Sequence, residues 1–307
     1  MMANVFGPVP SRRLGRSLGL DLVPFKTCSY DCIYCQLGHT TNKTIERKAW
    51  VSRDSLLEEL RRKLETEPDY LTLSGSGEPT LFSGIGELIE AIKDLTSIPI
   101  AVLTNGSLLW QPALRRELMD ADLVIPSLDA GNPAMFERIN QPHPGIEFER
   151  MLQGLIDFRG EFEGAYWLEI FLLDGVNDLD GEVRDLVECV QRIKPHRVQL
   201  NTATRPTADA TAHRVEPSRL EQISRLFEPQ AEVIADYRQV HEGSAFKLGR
   251  EAVLEMVLRR PCSIEDIASG LAMHQNEVVK YIGELEVRGA VETLRVNDRL
   301  FYRGLRP

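Results

Sequence analysis

Short apolar segments alternate with amphipathic segments over the first two thirds of the chain. The apolar segments have the length of buried strands and lie at 18–23, 70–75, 100–105, 123–129, 167–173 and 197–202. Amphipathic segments with a helical period lie between them, at 52–65, 85–95, 112–121 and 182–193. A parallel sheet requires this order, because a crossover helix must connect successive strands. The sequence therefore predicts an α/β fold, a partial (β/α)6 TIM-like barrel in which the loops after the strands carry the chemistry.

The pattern changes near residue 205, where the segment 205–218 supplies prolines and small residues with no clear period. A helix over 218–228 and a strand over 231–236 follow, and we expect them to flank the barrel. The sequence therefore predicts a first domain over residues 1–240, which starts with an N-terminal arm and contains the whole active site.

The C-terminal part of the chain forms a second unit, 245–307. Its pattern predicts three helices and then two strands around the turn residues Asn297 and Asp298, which is the order of a winged helix-turn-helix domain. Acidic and basic residues nearly balance here, and Glu277 and Glu284 on the expected recognition helix would repel phosphates. Contact with a protein, a peptide or a second copy of the chain is therefore favoured over DNA binding. Simple packing against the barrel is a further interpretation.

Composition limits the location and the partners. With 43% hydrophobic and 27% charged residues the chain has the composition of a globular protein, and no apolar stretch approaches the roughly 18 residues of a membrane span. We expect a cytoplasmic protein without membrane contact. The formal net charge of −10 argues against broad contact with a nucleic-acid backbone. Five cysteines, three of them within a few positions, favour metal or redox chemistry over a disulfide framework.

Cys28, Cys32 and Cys35 crowd together in the stretch TCSYDCIYC, after the first predicted strand. Three thiolates at this spacing can bind one metal centre from one side. His39 could complete a Cys3His zinc site, and a set of reduced core cysteines is another interpretation, although Lys26 and its polar neighbours disfavour it. The interpretation we favour is an iron–sulfur cluster held by three thiolates, with one iron left open to a small molecule.

The C-x3-C-x2-C motif, with Tyr34 just before its third cysteine, resembles that of the radical S-adenosylmethionine (SAM) superfamily over roughly residues 15–205. The resemblance implies one 4Fe–4S cluster on Cys28, Cys32 and Cys35, whose open iron is chelated by SAM. It also implies an enzyme that cleaves SAM reductively to methionine and a 5′-deoxyadenosyl radical, which abstracts hydrogen from a substrate. An electron donor of the flavodoxin or ferredoxin type would then be a partner.

Further positions agree with this resemblance. Gly77 and Glu78 resemble the family's Gly-Gly-Glu segment, which binds the amino group of SAM, and Ser76 stands where the first glycine usually is. Polar residues at the ends of later strands are also expected to contact SAM, namely Asn105, Ser127, Asp129 and Asn201. Residues of these types are also common in turns and at helix caps, which is the alternative for each of them.

The segment 7–19, GPVPSRRLGRSLG, is predicted to be a loop ahead of the first strand, and it carries Arg12, Arg13 and Arg16. Arginines beside a barrel mouth suit a carboxylate or a phosphate of a substrate, and Glu169 in the fifth strand is a further substrate candidate. Solvated arginines that pair with surface acids are the alternative. GPVPSRRLG also resembles the start of stand-alone Fe-S oxidoreductases, which share some pattern with wyosine-forming enzymes.

Cys189 and Cys262 are too far apart in sequence to hold a second cluster, so we expect one cluster and a buried packing role for Cys189. Two functions remain open. The first, which we favour, is a radical SAM enzyme that acts on an unidentified small molecule, peptide or RNA. The second is a transcriptional regulator whose cluster senses redox state or SAM and whose winged helix binds DNA. Six strand and helix units with a cofactor pocket exceed what a sensor needs.

Overall fold

The structure, a computed structural model, describes residues 4–11, 13–234, 249–271, 273–296 and 299–305. The strands within these residues are β1 (Val5–Ser11), β2 (Gly15–Asp21), β3 (Thr27–Cys28), β4 (Asn42–Lys43), β5 (Tyr70–Ser74), β6 (Ile100–Thr104), β7 (Leu123–Pro126), β8 (Ala165–Leu172), β9 (Arg197–Thr202), β10 (Glu232–Val233), β11 (Val291–Val296) and β12 (Arg299–Gly304). The helices are α1 (Arg53–Lys63), α2 (Ile85–Leu95), α3 (Pro112–Glu117), α4 (Pro133–Ile139), α5 (Phe148–Glu161), α6 (Asp180–Ile193), α7 (Pro217–Ser224), α8 (Arg250–Arg259), α9 (Ile264–Leu271) and α10 (Gln275–Val287).

One large sheet organises the first part of the chain. Its strand order over the described residues is β1-β2-β5-β6-β7-β8-β9-β10. Neighbours from β2 to β10 pair in parallel, and at least one helix lies in each connection between them. The sheet ends at β1 on one side and at β10 on the other, so it is open. The predicted α/β class with a mostly parallel sheet is confirmed.

Helix α6 shows how the sequence places helices on this sheet. Its buried side chains recur with a helical period, so one face joins the main core; they are Val183, Leu186, Cys189, Val190 and Ile193. The acidic residues of its first turn complement the positive end of the helix dipole. Cys189 is 4% exposed, which confirms the buried packing role predicted for it.

The N-terminal segment differs from the prediction. Residues 7–19 were expected to form a loop, but β1 pairs with β2 as an antiparallel hairpin. Pro8 lacks an amide donor, and β1 tolerates this loss because it is an edge strand. Gly19 of β2 leaves room for the ring of Phe6, since a Cβ there would lie 2.2 Å from the Phe6 Cζ atom. The arginines of this segment are therefore held by a hairpin.

Other elements differ in length from the prediction. Helix α3 ends at Glu117 instead of residue 121, and β7 ends at Pro126 instead of residue 129. Helices α4 and α5, between β7 and β8, were not predicted. The strand predicted over 231–236 is limited to the two residues of β10, and residues 235 and 236 lie outside the described residues.

The C-terminal unit consists of α8, α9 and α10 followed by the antiparallel pair β11 and β12. It has its own core, which includes Val253, Ile267 and Ile282. This order of elements agrees with the predicted one, and its assignment as a winged helix-turn-helix stays a prediction. The turn residues Asn297 and Asp298 and the predicted domain boundary lie outside the described residues. None of the described helices has the length and apolar character that crossing a membrane requires.

Candidate active site

The three-cysteine motif follows β2, at the edge of the sheet where the parallel strands end. Cys28, Cys32 and Cys35 are all partly exposed. Just ahead of them, the amide of Lys26 donates to the carbonyl oxygen of Ser76, in the loop after β5, at 2.7 Å. The segment 26–35, called here the cysteine loop, and residues 74–78, called the SGSGE loop, are therefore held together at the carboxyl edge of the sheet. Sites in α/β folds commonly lie at this edge.

Each of the three sulfur atoms has a nitrogen donor from another side chain. The pairs are Lys26 Nζ with Cys35 Sγ at 3.3 Å, Asn105 Nδ2 with Cys28 Sγ at 3.6 Å and Asn140 Nδ2 with Cys32 Sγ at 3.5 Å. Such donors stabilise thiolates and tune iron–sulfur centres. The sequence predicted Asn105 as a SAM contact and predicted none of the three side chains as a donor to sulfur, because local patterns do not show which distant side chains meet a sulfur atom.

Burial and nearby negative charges raise the pKa values of the Cys28 and Cys32 thiols. Burial raises the pKa of Cys28 to about 12, and the charges of Glu78 and Cys35 add to the rise. Burial also raises the pKa of Cys32 well above its usual value, with further contributions from Asp129, Cys28 and Cys35. Metal ligation requires thiolates, so a cationic centre among the sulfur atoms would remove this penalty and release protons. The chemistry of this donor set therefore fits a metal centre.

His39 does not join the three cysteines. It is largely exposed, and its Nδ1 lies 3.4 Å from a carboxylate oxygen of Asp31. Within the described parts of the chain, no group of three His, Cys, Asp or Glu side chains is arranged to hold a single metal ion. The Cys3His zinc set that the sequence left open is therefore not formed. In a 4Fe–4S cluster each thiolate binds a different iron, so the sulfur atoms need not converge on one point.

The SGSGE loop after β5 touches the cysteine loop closely. The amide of Glu78 donates to the carbonyl oxygen of Thr27 at 3.1 Å, and a Cβ at Gly77 would lie 1.9 Å from that oxygen. Gly75 has a φ of +134°, a backbone conformation that favours glycine. Glycine is therefore required at position 77 for contact and at position 75 for conformation.

The carboxylate of Glu78 points into the protein. It accepts hydrogen bonds from the amide and hydroxyl of Thr80 at 3.0 and 2.6 Å, from the hydroxyl of Thr104 at 2.6 Å and from the amide of Asn105 at 2.7 Å. Burial raises its pKa, although these donors favour the ionised form. Glu78 therefore joins the SGSGE loop to the end of β6, whereas Gly75 and Ser76 line the cavity described below.

Tyr34 and Asp129 form one buried group beside the cysteines. The Tyr34 hydroxyl donates to Asp129, and the Tyr34 ring stacks on Phe171 with 4.0 Å between ring centroids. Asn140 Nδ2 and the Phe171 amide also donate to Asp129, at 2.7 and 2.9 Å. Burial raises the pKa of Asp129 to about 6, despite these donors. Asp129 therefore holds two residues that adjoin the cysteines. Tyr34 precedes Cys35 in sequence, and the Asn140 side chain lies beside Cys32 Sγ.

A cavity of about 440 Å³ opens beside the cysteine loop. Tyr34 and Cys35 form part of its wall, and so do three polar residues from the later strands, Ser127, Glu169 and Asn201. The Asn201 side chain donates to Glu169 at 2.9 Å. Of the polar strand-end residues that the sequence singled out, Ser127 and Asn201 line the cavity. Asn105 and Asp129 are not among its lining residues and instead contact Cys28 and Tyr34, respectively.

Helix α8 of the C-terminal unit forms another wall of this cavity through Met256 and Arg259, together with Arg260, which follows the helix. The expectation that residues 1–240 contain the whole active site stays a prediction, but this cavity is lined by residues of both units. This wall could not be predicted from the sequence, because the pattern of a helix shows its own period and not which residues it will contact.

The predicted substrate arginines have different positions. Arg13 lines the cavity, where it forms an ion pair with Glu169 and donates to the Gln199 side chain at 3.1 Å. Arg16 donates to the carbonyl oxygen of Thr66 and does not line the cavity. Arg12 lies outside the described residues. The structure thus brings together the two substrate candidates Arg13 and Glu169, which are far apart in sequence.

The sequence profile of the radical SAM superfamily matches residues 22–188. A protein named GTPase Obg from Brachyspira hyodysenteriae is 42% identical over 304 residues, which cover 97% of this chain and 45% of that protein. The chain thus spans less than half of the length of that relative. A UPF0026 protein from Methanocaldococcus jannaschii is 32% identical over 312 residues, which cover 98% of this chain and 96% of that protein.

Among solved structures, a radical SAM methyltransferase from Sphaerobacter thermophilus has the same fold. Its TM-score is 0.52 at 19% identity, over 71% of this chain and 66% of that protein. The predicted cofactor SAM is the one that the superfamily's name states. The profile match and the similarity over nearly the full length of the archaeal protein show that this chain belongs to the UPF0026 family of the radical SAM superfamily.

Proposed function

We propose that this chain is a radical SAM enzyme. Cys28, Cys32 and Cys35 would hold the 4Fe–4S cluster, and SAM and a substrate would occupy the adjoining cavity. The observation that carries the proposal is the three-cysteine loop with a nitrogen donor at each sulfur atom, next to a cavity of about 440 Å³ that Cys35 itself lines. When bound, the cluster and SAM supply one-electron reductive cleavage and a 5′-deoxyadenosyl radical that abstracts hydrogen.

The residues around the cavity suit SAM in different ways. Gly75 and Ser76 line the cavity and would form the wall beside the methionine end. The side chains of Ser127 and Asn201 face the same cavity and offer hydrogen bonds to a ribose or an adenine. Glu78 would contribute indirectly, because its buried hydrogen bonds fix the position of the SGSGE loop. SAM binding would thus depend on backbone position as much as on individual side chains.

The ion pair of Arg13 and Glu169 suits a polar substrate. Both side chains are mostly buried, with 13% and 16% exposure, and both line the cavity. A substrate that carries a carboxylate or phosphate could bind Arg13, and one that carries an amine or hydroxyl could bind Glu169. Apolar walls such as Leu103 and Phe171 would keep water away from the reacting atoms. A small molecule, a peptide or an RNA end would satisfy these requirements.

The test is the formation of 5′-deoxyadenosine from SAM by the anaerobically reconstituted protein. A chemical reductant should support it, and a flavodoxin or ferredoxin should replace that reductant as the proposed electron donor. We expect about four irons per chain and absorbance near 400 nm, as thiolate-bound iron–sulfur clusters show. Stoichiometric zinc without iron uptake, or a loaded cluster that never cleaves SAM, would refute the proposed function.

A further inference from the structure

The C-terminal unit contacts the first domain through a buried ion pair. Arg259 of α8 is paired with Asp21, at the end of β2, and their side chains are 15% and 10% exposed. The guanidinium group of Arg259 also lies over the ring of Phe6, 4.0 Å from its centroid. A second ion pair, Arg205 with Asp266 at 3.2 Å, joins the same two units. The wall that α8 contributes to the cavity is therefore fixed by specific contacts.

Asp21 connects Arg259 to the SGSGE loop. One carboxylate oxygen of Asp21 accepts a hydrogen bond from the amide of Ser76 at 2.8 Å, and the other accepts one from the Ser76 hydroxyl at 2.7 Å. A Cβ at Gly75 would lie 2.3 Å from an Asp21 carboxylate oxygen, so the loop packs tightly on this side chain. The position of the loop thus depends on where the Asp21 carboxylate lies.

Ser76 then continues the connection to the cysteine loop, because its carbonyl oxygen accepts the Lys26 amide at 2.7 Å. The side chain of Lys26 in turn lies 3.3 Å from Cys35 Sγ. This connection gives a reason for the serine at a position where the family usually has glycine. A glycine could offer its amide to Asp21, but it has no hydroxyl to donate to the second carboxylate oxygen, which the Arg259 guanidinium also contacts.

We propose that Arg259 is a positioning residue for SAM, and that the C-terminal unit completes the SAM site. Arg259 orients the Asp21 carboxylate, Asp21 holds both polar groups of Ser76, and the SGSGE loop is thereby held against the cysteine loop. The part of this proposal that concerns SAM binding rests on the proposed function. The part that concerns the position of the SGSGE loop does not. It assigns to the C-terminal unit a role inside the active site, in addition to any partner that the unit binds.

The experiment compares Arg259→Met with Arg250→Met in the full chain. Both residues lie on α8, but Arg250 pairs with Glu251 and Glu284 within the C-terminal unit and does not line the cavity. Amide hydrogen exchange is measured first, on the protein without cofactors. We expect faster exchange for residues 75–78 in Arg259→Met and wild-type exchange there in Arg250→Met. Equal exchange of this loop in wild type and Arg259→Met would overturn the proposal.

SAM affinity is measured next, by equilibrium binding to the reconstituted protein. Arg259→Met should weaken binding by about tenfold or more, as loss of a supporting residue commonly does at metal sites, and Arg259→Lys should recover part of the loss. Asp21→Asn should act like Arg259→Met, and the double variant should bind no more weakly than either single one, since both act through one connection. Additive losses, or unchanged affinity in every variant, would overturn the proposal. Wild-type protein that binds no SAM would refute the proposed function, and the exchange comparison would still decide the loop geometry.

Discussion

Lys26 is the charged donor among the three that meet the cysteine sulfur atoms. Its ammonium group lies 3.3 Å from Cys35 Sγ, and it also donates to the carbonyl oxygen of Gly38. Lys26 is 3% exposed, so its charge is poorly screened by water. A positive charge in this position stabilises the more negative, reduced state of a cluster. Lys26 should therefore raise the reduction potential.

Replacing this lysine tests the effect of its charge. Lys26→Met should lower the midpoint reduction potential of the cluster, whereas Lys26→Arg should change it less. Lys43→Met removes the same charge from an exposed side chain that donates to the Gln141 carbonyl oxygen, and it should have a smaller effect. A redox titration monitored by electron paramagnetic resonance measures all of these potentials. An unchanged or higher potential in Lys26→Met would show that the charge does not act on the cluster.

Asp129 should make stability depend on pH in the protein without cofactors. Burial raises its pKa from an ordinary 3.8 to about 6. Because the folded-state pKa is the higher one, the group stabilises the fold fully below about pH 4, and this contribution is lost as the pH rises through about 6. The free energy of unfolding of wild type minus that of Asp129→Asn should fall by up to about 3 kcal/mol across this window. Urea denaturation measures it, and a constant difference would contradict the assignment.

At the scale of elements, the contact between the SGSGE loop and the cysteine loop is the tightest feature of the site. A Cβ at Gly77 would lie 1.9 Å from a backbone oxygen of Thr27, and backbone cannot move aside as a flexible side chain can. The two loops would have to separate to admit any side chain. Because each loop supplies part of the cofactor site, this separation should affect both stability and iron retention.

Gly77→Ala should therefore lower the free energy of unfolding by about 2 kcal/mol or more and reduce iron retention. Gly283→Ala is the control, because a Cβ at this helical position meets nothing within 4 Å. It should stabilise α10 by about 0.5–1 kcal/mol and leave iron content unchanged. Urea denaturation and iron analysis measure both variants. If Gly77→Ala keeps wild-type stability and iron, the two loops are not in contact as described.

The sequence predicted the elements that have a regular period of their own. The strands and helices around β5, β6 and α6 followed from apolar runs and helical spacing, and the cysteine motif marked the site. The hairpin of β1 and β2 was missed because prolines hide an edge strand. The buried role of Glu78 was missed too, since its partners Thr104 and Asn105 belong to the next strand and its loop. Contacts of this kind appear only once the strands are placed side by side.

At the scale of the whole molecule, the site is shared by parts of the chain that are distant in sequence. Arg13 meets Glu169, and Asp21 meets Arg259. Neither pair has a local pattern, so the sequence could indicate the substrate candidates only as separate charged residues. The cavity wall from α8 was beyond prediction for the same reason. Residues of both units therefore line one cavity, although their sequences predict separate domains.

The five cysteines allow a direct test of the whole account. Cys28, Cys32 and Cys35 are partly exposed and have nitrogen donors at their sulfur atoms, whereas Cys189 and Cys262 are buried in the cores of the two units. Loss of one of the first three should remove a cluster ligand. Loss of either of the others should cost only packing, of the order of 1 kcal/mol.

The measurement is iron content and 5′-deoxyadenosine formation, in parallel, for wild type and the five Cys→Ala variants after anaerobic reconstitution. Circular dichroism confirms that each variant is folded. The account predicts that Cys28→Ala, Cys32→Ala and Cys35→Ala lose both iron and SAM cleavage, while Cys189→Ala and Cys262→Ala retain both. SAM cleavage that survives in Cys32→Ala, or that disappears in a folded Cys189→Ala protein, would contradict the account.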